Sequence, residues 1–185
     1  SLTTIAIPDG VTRINDYTFT NAYALKSVTF GTNSQLTSIG MRAFYGTTSL
    51  TSINIPDSVT SIDMYAFYTT SLASITFGAN SRLNSIGIYA FYNATNLTTI
   101  AIPDTVISIG DYAFSTARAL NSITFGANSQ LTSIGYLAFH YTEALTSIVI
   151  PNGVTSIEKY AFRFAYALAS ITIPDSVTLD ERAFD

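Results

Sequence analysis

One phenylalanine returns through this chain at a nearly constant interval. Phe19, Phe44, Phe67, Phe91, Phe114, Phe139, Phe162 and Phe184 each follow an Ala or Thr, at spacings of 25, 23, 24, 23, 25, 23 and 22 residues. A leucine leads every unit as well, at Leu2, Leu25, Leu50, Leu72, Leu97, Leu120, Leu145 and Leu168. A unit this short cannot bury its own apolar face, so neighbouring units must stack to complete one continuous core. The whole chain, 1–185, is therefore a single repeat domain of stacked coils.

Two unit types alternate until the end, where Ile173-Pro174 follows another Pro-type unit. The shorter runs Leu50, Ile53, Ile55, Pro56, Asp57, Val59, Ile62; the longer runs Leu120, Ile123, Phe125, Gly126, Asn128, Leu131, Ile134, Gly135 and carries two extra turn residues. Ile53-Asn54-Ile55 and its equivalents alternate apolar and polar residues with period two and end at Pro or Gly, which predicts short strands with one buried face, stacked in parallel. A second extended stretch, Thr60-Ser61-Ile62, is followed in other coils by Gly40, Gly87, Gly110 or Gly135, and in two by Asn15 or Asp63. Those residue types predict a positive φ at that turn, with Glu158 as the exception. Tyr65-Ala66-Phe67 then has room for one helical turn, with the Phe and Ala wedged into the core.

Composition excludes several functions. Eight Lys and Arg, dispersed from Arg13 to Arg182, face twelve Asp and Glu; no basic stripe exists to neutralise phosphates, so nucleic acid is not expected as a partner. Apolar runs reach three or four residues, far below the ~18 needed to span a bilayer. With no cysteine there is no disulfide, thiolate nucleophile or zinc-thiolate site. The single histidine, His140, stands where other coils carry Tyr45, Tyr92 or Arg163, and reads as a surface substitution. Asp9, Asp57, Asp104 and Asp175 recur in the Pro-Asp step, a turn role rather than a chemical one. No catalytic, cofactor or metal site is expected.

The motif L-x-S-I-x-I-P-D-S-V-T-S-I-x-x-Y-A-F, repeated from Leu2 to Phe184, resembles the BspA-like leucine-rich repeats of microbial surface and secreted proteins. The resemblance implies a leucine-rich-repeat solenoid, a right-handed superhelix whose concave strand face binds a protein or a glycan outside the cell, without enzymatic activity. The family's small residue after Ala-Phe is matched by Ala22, Thr47, Thr69, Ala94, Ala117, Thr142 and Ala165. The chain opens on a repeat leucine and closes just after Phe184, with Asp180, Glu181, Arg182 and Asp185 as the nearest thing to a polar end cap. A piece of a longer array is expected, monomeric or weakly associating through its ends.

The outward positions of the first strands form the candidate binding face. They are Ser27, Thr29, Ser52, Asn54, Ser74, Thr76, Thr99, Ser122, Thr124, Ser147, Ser170 and Thr172, with Thr4, Ala6, Ala101 and Val149 completing two columns. These hydroxyls donate and accept hydrogen bonds, although Ser and Thr also suit any exposed parallel sheet. Regular Ser/Thr ladders raise ice binding as an alternative, and a spacer role within a larger surface protein is another. Tyr17, Tyr65, Tyr89, Tyr112 and Tyr160, with Tyr45, Tyr68 and Tyr92, stack along another edge, as a contact surface or as rings covering the coil ends.

Overall fold

The computed structural model describes residues 1–180 and 182–184, so Glu181 and Asp185 of the expected end cap lie outside the described residues. Each coil supplies two strands. The first strands are β1 (Thr4–Ile7), β3 (Ser27–Phe30), β5 (Ser52–Ile55), β7 (Ser74–Phe77), β9 (Thr99–Ile102), β11 (Ser122–Phe125), β13 (Ser147–Val149) and β15 (Ser170–Thr172). The second strands are β2 (Arg13–Ile14), β4 (Ser38–Ile39), β6 (Ser61–Ile62), β8 (Ser85–Ile86), β10 (Ser108–Ile109), β12 (Ser133–Ile134), β14 (Ser156–Ile157) and β16 (Thr178–Leu179). All pairing is parallel between successive coils, as a solenoid of eight coils requires.

The two sheets differ. The second strands run unbroken as an 8-stranded sheet, whereas the first strands divide into sheets of two, four and two. The first, third and fifth coils, all short, each pair fully with the longer coil after them, as in Ser52↔Ser74 to Ile55↔Phe77. From long coil to the next short one, pairing shrinks to Ser74↔Thr99 at β7–β9 and is missing at β3–β5 and β11–β13. With the second strands held in register, the two extra residues of the longer coil must be accommodated elsewhere on the circumference. They open the first sheet on one side of each long coil.

A third seam corrects the expectation of a helical turn. Tyr65, Phe67 and Thr69 donate their N–H groups to Ile88, Ala90 and Tyr92 of the next coil at 3.0, 2.8 and 2.9 Å, while Ala66 and Tyr68 donate back to Asp63 and Tyr65 at 3.2 and 3.1 Å. An α-helix spends its N–H groups on its own carbonyls; here alternate groups point along the solenoid axis, and among the described residues there is no helix.

The same alternation relocates the left-handed residues. They are not Gly40, Gly87, Gly110, Gly135, Asn15 or Asp63 but the positions two later: Tyr17, Arg42, Tyr65, Tyr89, Tyr112, Leu137 and Tyr160, with φ between 53° and 62°. A second set follows four residues on, as at Asn21, Thr69 and Asn93. Each such residue costs roughly 1–2 kcal/mol intrinsically, offset by the inter-coil bond its N–H makes. Glycine at the first position serves close packing instead: a Cβ on Gly87 would stand 2.7 Å from the carbonyl carbon of Asp63, and one on Gly110 2.8 Å from the Ile88 nitrogen.

One register is also corrected. Thr69 has the positive φ of the second set, and Thr70 holds the buried position beside the core that Thr47, Ala94, Ala117 and Thr142 fill in other coils. The third coil is thus one residue short before Leu72. The core itself is as the repeat implies. The repeat phenylalanines stack face to face from Phe19 to Phe184 with centroids 5.1 to 5.6 Å apart, and the strand isoleucines and the leading leucines from Leu25 to Leu168 pack around them, while Leu2 is exposed.

Candidate functional site

Alternation along the first strands puts Ile53, Ile75, Ile100 and Ile123 in the core and their neighbours outside. Of the twelve candidate residues, Ser27 and Ser122 are half-buried and the other ten are exposed. Register brings them together in columns: Ser52 beside Ser74, Asn54 beside Thr76, Thr99 beside Ser122, Ser147 beside Ser170. Thr76 Oγ1 donates to Asn54 Oδ1 at 3.0 Å. The column of Asn54 and Thr76 also includes Ala6, Ala101 and Val149, the last 65% exposed. Ser27 and Thr29 lie beside Thr4 and Ala6, and Thr172 beside Val149.

Where this sheet opens, the molecule has clefts. Short Pro-Asp turns sit low between the longer Gly-x-Asn-Ser turns of neighbouring coils. One cleft, of ≈ 850 Å³, lies over Pro56 and Asp57 between the turns at Gly31 and Gly78. A second, of ≈ 380 Å³, lies over Pro103 and Asp104 between those at Gly78 and Gly126. A third, of ≈ 620 Å³, runs between β11 and β13 beside Pro151. Phe30, Phe77 and Phe125, half-buried, border them. The sequence signal for the clefts is the alternation of turn lengths.

The tyrosines form an edge of another kind. Tyr65, Tyr89 and Tyr112 stack at 4.8 and 4.5 Å, and Tyr45, Tyr68 and Tyr92 at 4.9 Å in a second column, with T-shaped contacts of 5.4 Å between columns. The Arg42 guanidinium enters the first column over Tyr17, Tyr45 and Tyr65 at 5.1 to 5.8 Å, a cation–π site. Burial among these rings raises the pKa of the Tyr68 and Tyr89 hydroxyls and pushes that of Tyr112 up to about 12. Stacking uses up the ring faces of these half-buried columns. Tyr160 departs from this pattern: the Arg182 guanidinium donates to its hydroxyl at 3.0 Å and lowers its pKa.

His140 is more embedded than a surface substitution. Its Nδ1 lies 3.2 Å from Ser115 Oγ, its ring packs against Tyr141 and Phe164, and burial, then the Arg163 charge, lower its pKa. The Ser115 hydroxyl is inaccessible at 0% exposure, so this pair cannot present a nucleophile to a substrate. Among the described residues, no group of three or more His, Asp and Glu is placed to hold a metal ion. No helix among them is long and apolar enough to cross a membrane.

The description BspA type leucine rich repeat region, in 6 copies, matches residues 1–92 and 84–185. The chain belongs to the BspA-type leucine-rich-repeat family. No curated protein matches it. Among solved structures, this BspA-type chain is similar to the pneumococcal vaccine antigen PcpA, with 22% identity over 95% of this chain and 51% of that one, TM-score 0.69. It is also similar to a leucine-rich repeat protein of Eubacterium ventriosum, with 25% identity over 97% of this chain and 55% of that one, TM-score 0.55. A leucine-rich repeat protein of Bacteroides ovatus shows 21% identity over 96% and 56%, TM-score 0.51. The chain thus spans about half the length of these proteins. The likeness to PcpA and to the Bacteroides protein establishes the BspA-type solenoid fold.

Proposed function

We propose that this chain is a non-enzymatic adhesion or interaction module of a microbial surface or secreted protein, engaging an extracellular macromolecule, protein or glycan, through its first-strand face. The observation that carries this reading is the array of mostly exposed, uncharged donors and acceptors on β3 to β15, in register within each of the three groups of first strands and backed by core isoleucines. Rigid placement lowers the entropy cost of binding. Membership of the BspA-type family and likeness to a vaccine antigen support an extracellular setting. Ice binding is disfavoured by the opening of the first sheet into groups of two, four and two strands, which interrupts the regular lattice a crystal face would need.

The test is a binding screen of the purified chain against extracellular-matrix proteins and a glycan array, alongside a folded variant with Arg at Ser74, Thr76, Ser122 and Thr124. Binding lost in the variant supports the strand face. Binding that persists assigns the function to the tyrosine edge, and absence of any binding favours a spacer.

A further inference from the structure

The three clefts recur with the double repeat, and their spacing constrains what fits them. Successive core rings are 5.1 to 5.4 Å apart along the axis, and the clefts lie over or beside the turns of the third, fifth and seventh coils. Two coils advance about 10 Å, the length of one disaccharide in an extended β-1,4-linked chain. We propose that the clefts bind a linear, uncharged β-1,4-linked polysaccharide lying along the solenoid axis, one disaccharide to each cleft. This rests on the first-strand face being the binding surface and names its ligand class.

The lining matches that chemistry. Of all the residues bordering the three clefts only Asp57, Arg82 and Asp104 are ionisable, and one carboxylate oxygen of each Asp is buried beneath the neighbouring coil's glycine. Thr29, Asn54, Asn80 and Thr124 instead offer exposed hydroxyls and amides, which pair with sugar hydroxyls that both donate and accept. Phe30, Phe77 and Phe125 each add an aromatic surface against which the apolar face of a pyranose ring can pack. Unlike the core phenylalanines and the tyrosine columns, they are two coils apart and do not stack on one another. An extended polypeptide repeats every ~6.7 Å and would fall out of phase with the clefts. A polyproline helix repeats every ~9 Å but docks in grooves walled by aromatic rings, and here each wall has one ring among hydroxyls and amides.

The test titrates the chain with cellohexaose and chitohexaose, with the corresponding di- and tetrasaccharides, and with maltohexaose and laminarihexaose, whose linkages curl the chain out of this repeat. Affinity is expected to rise by about tenfold or more from disaccharide to hexasaccharide as successive clefts fill, with the curled hexasaccharides binding weakly. Asn54→Arg, Ala101→Arg and Val149→Arg together, all at exposed positions, should reduce hexasaccharide affinity by about tenfold or more. Thr37→Arg, Asn84→Arg and Thr132→Arg, exposed positions beside the second strands and away from both the first-strand face and the clefts, should change it about twofold or less, with circular dichroism reporting the fold of both variants. Equal binding of all linkages, indifference to the cleft variant, or binding of a polyproline peptide in place of the sugars would overturn the proposal. If a protein ligand then still depended on the strand face, the interaction-module reading would stand alone; if nothing depended on that face, both would fail.

Discussion

One carboxylate oxygen of Asp57, Oδ1, occupies the place where a side chain on Gly78 would begin, so a Cβ there would overlap it. Asp9 with Gly31 and Asp104 with Gly126 repeat the arrangement, and in all three the oxygen is buried without a conventional hydrogen-bond partner. The glycine Cα–H faces it, a weak C–H···O contact that only glycine permits. At the next equivalent step Pro174 replaces the glycine, and Asn152 replaces the aspartate. Gly78→Ala is therefore expected to cost about 1–3 kcal/mol from overpacking, and to cost much less in an Asp57→Ala background. A double-mutant cycle by urea denaturation measures this; simple additivity would show that the two residues are uncoupled.

Gly153→Ser should stabilise the fold by about 1 kcal/mol, from one added hydrogen bond and a less flexible unfolded chain. Ser58 Oγ donates to Ser34 and Leu36 carbonyls at 2.9 and 2.7 Å, and Thr105 Oγ1 to Ser81 and Leu83 at 3.1 and 2.7 Å. At the equivalent place Gly153 leaves the Ser129 and Leu131 carbonyls without that donor, 3.7 and 3.1 Å from where its Cβ would be. A lower denaturation midpoint in the serine variant would refute the equivalence.

Phe91→Ala should cost about 3–5 kcal/mol. The ring is fully buried and stacked between Phe67 and Phe114, at 5.2 Å from each, and three inter-coil seams keep the neighbouring coils from closing the cavity. A near-neutral shift in denaturation would contradict the stack.

Acid should weaken the fold in part through His140, whose folded-state pKa lies below its ordinary 6.5. The unfolded chain then takes up its proton first as pH falls, so the neutral ring's contribution is complete above 6.5 and is lost from there down through the folded pKa. His140→Gln, which keeps a partner for Ser115, should flatten the melting temperature between about pH 7 and pH 5 relative to the parent chain. Identical pH profiles would remove His140 from the explanation.

Much of this was legible in the sequence. Period-two alternation at Ile53-Asn54-Ile55 and the recurring phenylalanine specify strand faces and core, because a side chain's apolarity and its place in the repeat decide burial locally. His140 was misread because its partner, Ser115, lies 25 residues earlier and becomes a neighbour only through stacking. The glycine turns were misread because Gly87 answers a contact with Asp63 of the preceding coil, and a residue's type does not tell a dihedral need from a steric one.

The sequence by itself determined the repeat, the eight coils, which residues face inward, and an uncharged outer strand face, since each of these depends on chemistry periodic along the chain. Only the tertiary structure decided how unequal coils share one axis. Second strands that stay in register force the two extra residues of each longer coil to be absorbed at the first sheet, and the clefts there follow from that mismatch between neighbours.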